Sequence, residues 1–140
     1  MRDTKRADEL SESAFLHKAL KMGLKVSKPF GDSERYDFIV DNGRKRWRVQ
    51  VRSTQTVSRW KWYSVASCYK INRGGGAPTE HLPYTEGEID FLAVQVVPED
   101  TWYLLPVAAL RGRRRLNLYS KDHREPGPEA NYREAWEPLL

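Results

Sequence analysis

The feature that most constrains the fold is a pair of short apolar runs joined by a tight turn. The first run is YDFIV at residues 36–40, and it is followed by DNGRK, in which Asn42-Gly43 is a strong β-hairpin signal. Because successive side chains of a strand point to opposite faces, an alternating run next to this turn predicts a strand with one apolar and one polar face. RWRVQVRST at residues 46–54 is such a run, with Trp47, Val49 and Val51 against Arg48, Gln50 and Arg52.

A helix is predicted before this hairpin, over residues 7–21, and Gly23 ends it. Its apolar residues recur at helical spacing, so we expect them on the buried side: Leu10, Ala14, Phe15, Ala19 and Leu20.

The rest of the chain predicts more strands and little further helix. Strands are expected at residues 89–97 and 101–107 around the turn PED, and one more at 60–70, while VAAL at 107–110 suggests a short helix. A long Gly- and Pro-containing loop is expected at 72–88, and the tail from 121 onward combines a linker with a terminal helical segment. This order predicts one α/β domain, residues 1–140, around a mixed β-sheet.

Cysteine content and hydropathy indicate the cellular setting. A single cysteine, Cys68, allows no internal disulfide and no cysteine-rich metal site. The sequence contains no apolar run of membrane-spanning length, and its polar start has no signal-peptide pattern. We therefore expect a soluble cytoplasmic protein that does not bind membranes.

Positive charge is clustered along the chain, whose formal net charge is +5. Clustered cations suit a polyanion, because each neutralised phosphate releases bound counterions. The two clusters lie in the hairpin, around residues 44–52, and in RGRRR at residues 111–115. Basic runs also occur on solvated faces that bind nothing, and this alternative stays open for both clusters. A third segment, SRWKWYS at residues 58–64, mixes cations with aromatic residues. The predicted DNA-binding residues are Arg44, Lys45, Arg46 and Arg48 in the hairpin, Lys61 in that segment, and Arg113 and Arg114 in RGRRR.

The polar face of the second strand suggests a metal site. Mg²⁺ takes oxygen ligands and keeps several waters, so one or two carboxylates and a carbonyl can hold it. Asp37, at the start of the first strand, can supply a carboxylate, Gln50 an amide oxygen, and Val51 a main-chain carbonyl. Glu12 on the helix is a second carboxylate, and Arg52 would lie beside the phosphate. These residues would suit metal-assisted hydrolysis of a phosphodiester.

Residues 7–54 resemble the PD-(D/E)XK nuclease superfamily, whose core is a helix with a glutamate, a strand starting with Asp, and a strand carrying acid-x-Lys. The closer resemblance is to its branch of intron-encoded homing endonucleases with a Holliday-junction-resolvase-like core. SESAFLHKALKMGLKVSKPFGDSERYDFIVDNG, RVQVRST and EIDFLAVQVVPEDTWYLLPV carry it. The resemblance implies a restriction-endonuclease-like α/β core, with a mixed central β-sheet flanked by helices.

The resemblance also implies roles for individual residues. Glu12 matches the helix glutamate, with Glu9 one turn away as the alternative, and Asp37 matches the metal-binding aspartate, although Tyr36 replaces the proline before it. Gln50 stands where most members have an acid, and the homing branch uses glutamine there. Arg52 stands where the family has lysine. Arginine can stabilise a phosphate but cannot act as a base, because it stays protonated.

Three functions remain open on these grounds. The first is a homing-type endonuclease that cuts double-stranded DNA with Mg²⁺, or alternatively Mn²⁺, and works as a homodimer or homotetramer. The second is a Holliday junction resolvase or DNA repair nuclease on the same core. The third is a catalytically weak DNA-binding module, which the arginine at position 52 would suit.

Overall fold

The computed structural model describes residues 4–140, which form two α-helices, nine strands and three short 3₁₀ turns. Helix α1 spans Thr4–Lys21 and α2 spans Val107–Leu110. The strands are β1 (Lys25–Ser27), β2 (Phe38–Asp41), β3 (Arg46–Thr54), β4 (Trp62–Ala66), β5 (Cys68–Ile71), β6 (Glu80–Pro83), β7 (Phe91–Val96), β8 (Thr101–Pro106) and β9 (Arg115–Tyr119). The 3₁₀ turns are Val97–Glu99, Ala130–Tyr132 and Glu137–Leu139.

Five strands form a central mixed sheet in the order β1-β2-β3-β7-β8. Strands β3 and β7 are parallel, and the other neighbours are antiparallel. The predicted β2–β3 hairpin is confirmed: Asn42 Oδ1 accepts hydrogen bonds from the amides of Arg44 and Lys45 at 2.9 and 2.8 Å. Gly43 adopts φ +89°, a left-handed conformation that favours glycine. The predicted α/β architecture with a mixed sheet is also confirmed.

The central sheet buries both of its faces. Helix α1 and the C-terminal tail cover one face, where Phe15, Phe38, Val49, Trp102 and Trp136 share a core cluster. Strands β4 and β9 pair with each other as a separate two-stranded ribbon. The inner side of this β4–β9 ribbon packs against the opposite face of the sheet, with its side chains in a second core cluster. The site-bearing strand β3 is therefore held between two packed layers.

Helix α1 begins earlier than predicted and buries a narrower stripe. Its buried residues are Ser11, Phe15 and Ala19, one helical turn apart. Leu10 and Leu20 were expected on this side, but they are 62% and 54% exposed. The expectation was wrong because a helix lying flat on a sheet buries one i, i+4 row, whereas those two leucines lie outside it.

Four other parts of the predicted fold need correction. The predicted strand at 60–70 is two strands, because Ser67 breaks it by donating its amide to Arg114 O and its hydroxyl to Arg113 O. The predicted loop at 72–88 contains strand β6, which pairs with β5. Strand β9 follows the RGRRR loop and was not predicted.

In the tail, the predicted helical segment is only two 3₁₀ turns, although Trp136 and Leu139 are buried there as core residues.

Candidate active site

Asp37 lies immediately before β2, beside the middle of β3. Its amide donates to the carbonyl of Val49 at 2.9 Å, and its Oδ2 accepts the amide of Val51 at 2.9 Å. In extended backbone the N–H and C=O of one residue face the same side, so the carbonyl of Val51 also faces the start of β2. The predicted pair of Asp37 and Val51 is thus brought together by the hairpin register.

Burial dominates the chemistry of Asp37. The pKa of its carboxyl is raised from 3.8 to about 6, chiefly because burial removes solvation and also because of the negative charge of Glu12. The hydrogen bond from Val51 opposes this rise, as do the charges of Arg52 and Lys28. A carboxylate that is costly to ionise in the protein alone gains most from a cation placed beside it.

Glu12 approaches Asp37 from helix α1. Its side chain is 26% exposed, and its Oε1 lies 3.5 Å from the ammonium of Lys28, in the segment after β1. Glu12 lies one residue from the buried stripe of α1, which fixes its direction towards the sheet edge. The alternative residue, Glu9, is exposed. The structure therefore brings Glu12 within electrostatic range of Asp37.

The amide of Gln50 lies against two oxygen atoms. One of the two terminal atoms of the amide, its oxygen or its nitrogen, is 2.6 Å from the carbonyl oxygen of Arg35 and 3.3 Å from Asp37 Oδ2. These contacts are hydrogen bonds when the amide nitrogen faces the two oxygens. When the amide oxygen faces them instead, three oxygens converge, and a cation between them would remove their mutual repulsion. The side chain can serve either state by a rotation of the amide.

These donors fit a cation that retains part of its water shell. Within residues 4–140 no three His, Cys, Asp or Glu side chains form a metal-binding group. A site composed only of charged side chains is therefore not built here. Two carboxylates, one amide and one main-chain carbonyl are instead the oxygen donors that suit Mg²⁺, which keeps several waters and prefers carboxylates and carbonyls.

Arg52 is anchored by groups that the sequence analysis did not identify. Its Nη2 donates to the carbonyl of Cys68 at 2.8 Å and to the hydroxyl of Tyr84 at 2.7 Å. Its Nε is buried with no protein partner in the described part of the chain, so this donor is left for water or a ligand. Tyr84 lies in the segment predicted as a loop, where no periodicity marks it, so only the fold could reveal this contact.

Two of the predicted DNA-binding arginines are committed to protein contacts. Arg48 contacts both carboxylate oxygens of Asp90, at 3.1 and 3.0 Å, and also donates to the carbonyls of Glu86 and Gly87. Arg113 donates at 2.7 Å to Glu129, which is 3% exposed, and to the carbonyls of Ala109 and Leu110. Both guanidinium groups hold the fold together, which leaves them few donors for a phosphate.

The other predicted cations are more accessible. Arg44 donates to the carbonyl of Leu140. The ammonium of Lys45 lies 4.1 Å from the centre of the Trp47 ring, and the Nε of Arg46 lies 3.4 Å from a carboxylate oxygen of Asp41. Arg114 donates only its Nε, to the carbonyl of His81, and Lys61 is exposed just before β4. These five residues occupy two separate surfaces, the β2–β3 turn and the surroundings of the β4–β9 ribbon.

Comparison with known proteins agrees with this geometry. A sequence profile of the PD-(D/E)XK endonuclease family matches residues 2–139. Among solved structures, a bacterial homing endonuclease, I-Ssp6803I, superimposes with a TM-score of 0.86 at 28% identity, over 99% of this chain and 94% of that one. A second structure, MepB, matches at a TM-score of 0.45 and 14% identity over 76% of each chain. No curated protein sequence matches the chain.

The family match extends over nearly the whole chain, and the solved endonuclease shares its restriction-endonuclease-like arrangement of a mixed sheet and helices. No helix within residues 4–140 is both long and apolar enough to cross a membrane. Asp37, Gln50 and Arg52, the residues that the sequence resemblance singled out, lie close together on or beside strand β3. The chain belongs to the PD-(D/E)XK endonuclease family.

Proposed function

We propose that this protein is a homing-type endonuclease that cleaves double-stranded DNA with Mg²⁺, Mn²⁺ being an alternative cofactor. The observation that carries the proposal is the meeting of Asp37, Gln50 and the Val51 backbone at one end of β2, with Glu12 in electrostatic range. Support also comes from the solved homing endonuclease that is similar over nearly the full length of the chain. Single-domain organisation of residues 1–140 and a cytoplasmic location are part of the same proposal.

The proposed roles follow from the chemistry of each group. Asp37 and Gln50 would hold the cation through side-chain oxygens, Val51 through its carbonyl, and Glu12 either directly or through a bound water. Bound there, the cation would lower the pKa of a coordinated water and neutralise charge on the scissile phosphate. Gln50 would turn its amide oxygen inward when the cation arrives, replacing its hydrogen bond to Asp37.

Arg52 would stabilise the phosphate rather than accept a proton. Its guanidinium is held on one side by Cys68 and Tyr84, which fixes its position next to Asp37. A fixed positive charge beside a developing phosphorane lowers the barrier without reorganisation during the reaction. In this proposal the proton of the attacking water leaves to solvent or to a phosphate oxygen.

Contacts with the DNA backbone are proposed for the accessible cations on the two surfaces described above: Arg44, Lys45, Arg46, Lys61 and Arg114. Arg48 and Arg113, also expected from the sequence to bind DNA, would contribute mainly through the long-range field, because protein partners take most of their donors. A nuclease that cuts both strands with one site per chain needs at least two copies, so we propose a homodimer or homotetramer.

The proposal is tested by incubating purified protein with a plasmid library of bacterial genomic inserts and sequencing the ends produced. We expect cleavage with Mg²⁺ at a small set of sites and no cleavage with EDTA. Asp37→Ala should bind DNA but not cut it, while Asp32→Ala, an exposed aspartate in the preceding turn, should cut normally. Normal cleavage by Asp37→Ala would refute the assignment of the site.

The arginine at position 52 supports one alternative, a DNA-binding module with little catalysis. That alternative predicts tight DNA binding but no cleavage of linear, supercoiled or four-way-junction DNA with either Mg²⁺ or Mn²⁺. The resolvase alternative predicts cleavage of the four-way junction in preference to the linear duplex. The three functions are therefore separated by one set of substrates.

A further inference from the structure

The positive charge of the chain is concentrated around the β4–β9 ribbon. Residues 58–66 and 111–125 together contain eight Lys or Arg and two Asp or Glu, a net charge of +6. The whole chain has a net charge of +5, so the remaining residues carry −1. The ribbon and the segments at its ends therefore keep a positive excess even when the pairing of Arg113 with Glu129 is allowed for, which favours a polyanion at this surface.

The ribbon itself has an anchored side and a free side. Tyr63, Val65, Leu116 and Leu118 face inward and are at most 5% exposed. The outward residues include Ser64, Arg115 and Asn117, all of which are exposed. A two-stranded antiparallel ribbon whose inner face is fixed in the core and whose outer face is polar has the width that the major groove of B-DNA admits.

The outward side chains are those that recognise base edges. Arg115 Nε donates to Ser64 Oγ at 2.9 Å, and its two terminal nitrogens contact no hydrogen-bond acceptor in the described chain. The side-chain amide of Asn117 likewise makes no hydrogen bond to residues 4–140. Arginine pairs with guanine O6 and N7, and asparagine pairs with adenine N6 and N7. Arg115, with its terminal nitrogens free of hydrogen bonds to residues 4–140, and Asn117 are alternate residues on the outer face of one strand.

One end of the ribbon is stiffened by stacked rings. Trp60 lies over Trp62 at 6.4 Å between ring centres, Trp62 over Tyr119 at 5.8 Å, and Tyr119 over His123 at 4.0 Å. Gly127 closes against Tyr119 so tightly that a Cβ there would meet the ring at 2.6 Å. These contacts hold the ribbon in one geometry before any ligand binds, as a site that reads a fixed pattern requires.

The ribbon is continuous with the candidate active site. Arg52, Thr54, Ser64 and Arg115 line one groove between the ribbon and the first turns of α1, with Asp8 of α1 on the other wall. A duplex lying along the ribbon would thus run past Arg52. Its backbone would have to stay on the ribbon side of the groove, away from the carboxylate of Asp8.

We propose that the β4–β9 ribbon enters the major groove of the DNA duplex and selects its sequence, with Arg115 recognising guanine, Asn117 recognising adenine, and Ser64 positioning Arg115. The proposal rests on the proposed function, since it assumes a DNA substrate. Alternate residues of a strand are about 7 Å apart, which is close to two base-pair steps. The two recognised base pairs are therefore about two steps apart in the target.

The test separates sequence recognition from catalysis by working in EDTA. Bacterial genomic fragments that bind the wild-type protein are selected and sequenced, and every single-base-pair variant of one selected site is then measured for affinity. Arg115→Ala and Asn117→Ala should each lose discrimination at one base pair, by roughly 5- to 100-fold. Ser64→Ala should weaken discrimination at the base pair assigned to Arg115 only.

Two controls share the chemistry of the variants. Asn131→Ala removes an exposed asparagine from the tail and should change nothing, while Arg124→Ala removes an exposed cation near the ribbon and should weaken all sequences equally. The proposal is overturned if Arg115→Ala and Asn117→Ala retain the wild-type preference at every position, or if the wild type selects no sequence. The first result would leave Mg²⁺-dependent cleavage, measured separately, unaffected, whereas the second would also contradict the expected cleavage at a small set of sites.

Discussion

Asp37, the carboxylate proposed to bind the cation, shows how the surrounding fold alters the properties of an acid. The backbone of β3 supplies one strong hydrogen bond, burial removes solvent, and Glu12 adds a second negative charge. In the absence of a cation this arrangement makes ionisation of the carboxyl more costly than in solution, because its pKa is raised to about 6. The residue is therefore expected to reduce stability while it serves binding, a common cost of functional sites.

Replacing Asp37 by Asn should make this cost measurable. The pKa of Asp37 is about 6 in the folded protein, whereas the ordinary pKa of an aspartate, which applies in the unfolded chain, is 3.8. Ionisation of Asp37 therefore lowers stability as pH rises from about 4 to 6. Asp37→Asn keeps an acceptor for the Val51 amide and cannot ionise. In EDTA, urea unfolding should show equal stability for both proteins below pH 4 and a gain of about 1–3 kcal/mol for the variant at pH 8.

The same urea unfolding experiment can also test whether Asp37 binds a cation. Adding Mg²⁺ at pH 8 should stabilise the wild type and leave Asp37→Asn nearly unchanged, because a ligand that binds only the folded state shifts unfolding by mass action. A variant that is less stable than the wild type at pH 8 in EDTA would contradict the account of Asp37.

Arg52→Lys tests the residue that departs from the family pattern. Lysine presents a compact ammonium whose pKa can be lowered towards water activation, while arginine is suited to clamping phosphate oxygens. We expect faster single-turnover cleavage by Arg52→Lys and equal or weaker DNA affinity. Arg73→Lys, at an exposed position after β5 where the arginine pairs with Glu80, serves as the control and should leave the rate unchanged. A slower Arg52→Lys enzyme would mean that the site depends on the guanidinium held by Tyr84 and Cys68.

At the level of secondary-structure elements, local patterns could be predicted and distant pairings could not. The alternation in β3 and the Asn42-Gly43 turn are properties of adjacent residues, so the hairpin and the meeting of Asp37 with Val51 follow from sequence. The anchoring of Arg52 by Tyr84 depends on a segment 32 residues away, whose pairing no local pattern encodes. Strand β9 was missed because its short alternation follows a run of arginines that indicated a loop.

Arg113 and Arg114 are adjacent in sequence, but Arg113 forms an ion pair with a buried carboxylate and Arg114 is exposed. Arg113→Ala would leave the buried carboxylate of Glu129 without its partner, and we expect a loss of about 3–5 kcal/mol in unfolding free energy. Arg114→Ala removes an exposed side chain with a single hydrogen bond, so stability should change by less than about 1 kcal/mol.

Arg113→Ala should lose more stability than Arg114→Ala, whereas Arg114→Ala should lose more DNA affinity. At a temperature where both proteins are folded, Arg114→Ala should weaken binding in filter or fluorescence titrations more than Arg113→Ala does. If Arg113→Ala is as stable as the wild type, the ion pair with Glu129 does not have the structural role assigned to it.

For the whole molecule, the uneven distribution of charge determines how the protein meets DNA. With roughly five phosphates neutralised per chain, the logarithm of the DNA binding constant should fall with the logarithm of salt concentration at a slope of about −4 to −5. Titrations between roughly 50 and 200 mM salt measure this slope. A flat dependence would show that neither basic surface contacts the DNA backbone.

The most direct test of the account is to locate the divalent cation itself. Crystals of the protein with a selected DNA site and Mn²⁺ would reveal the ion by its anomalous scattering. We predict a peak about 2.1 Å from the carboxylate of Asp37, with Gln50 Oε1 and the carbonyl of Val51 in the same coordination sphere and a DNA phosphate oxygen beside it. An ion bound elsewhere, with Gln50 still hydrogen-bonded through its nitrogen to Asp37, would contradict the assignment of this site as the active centre.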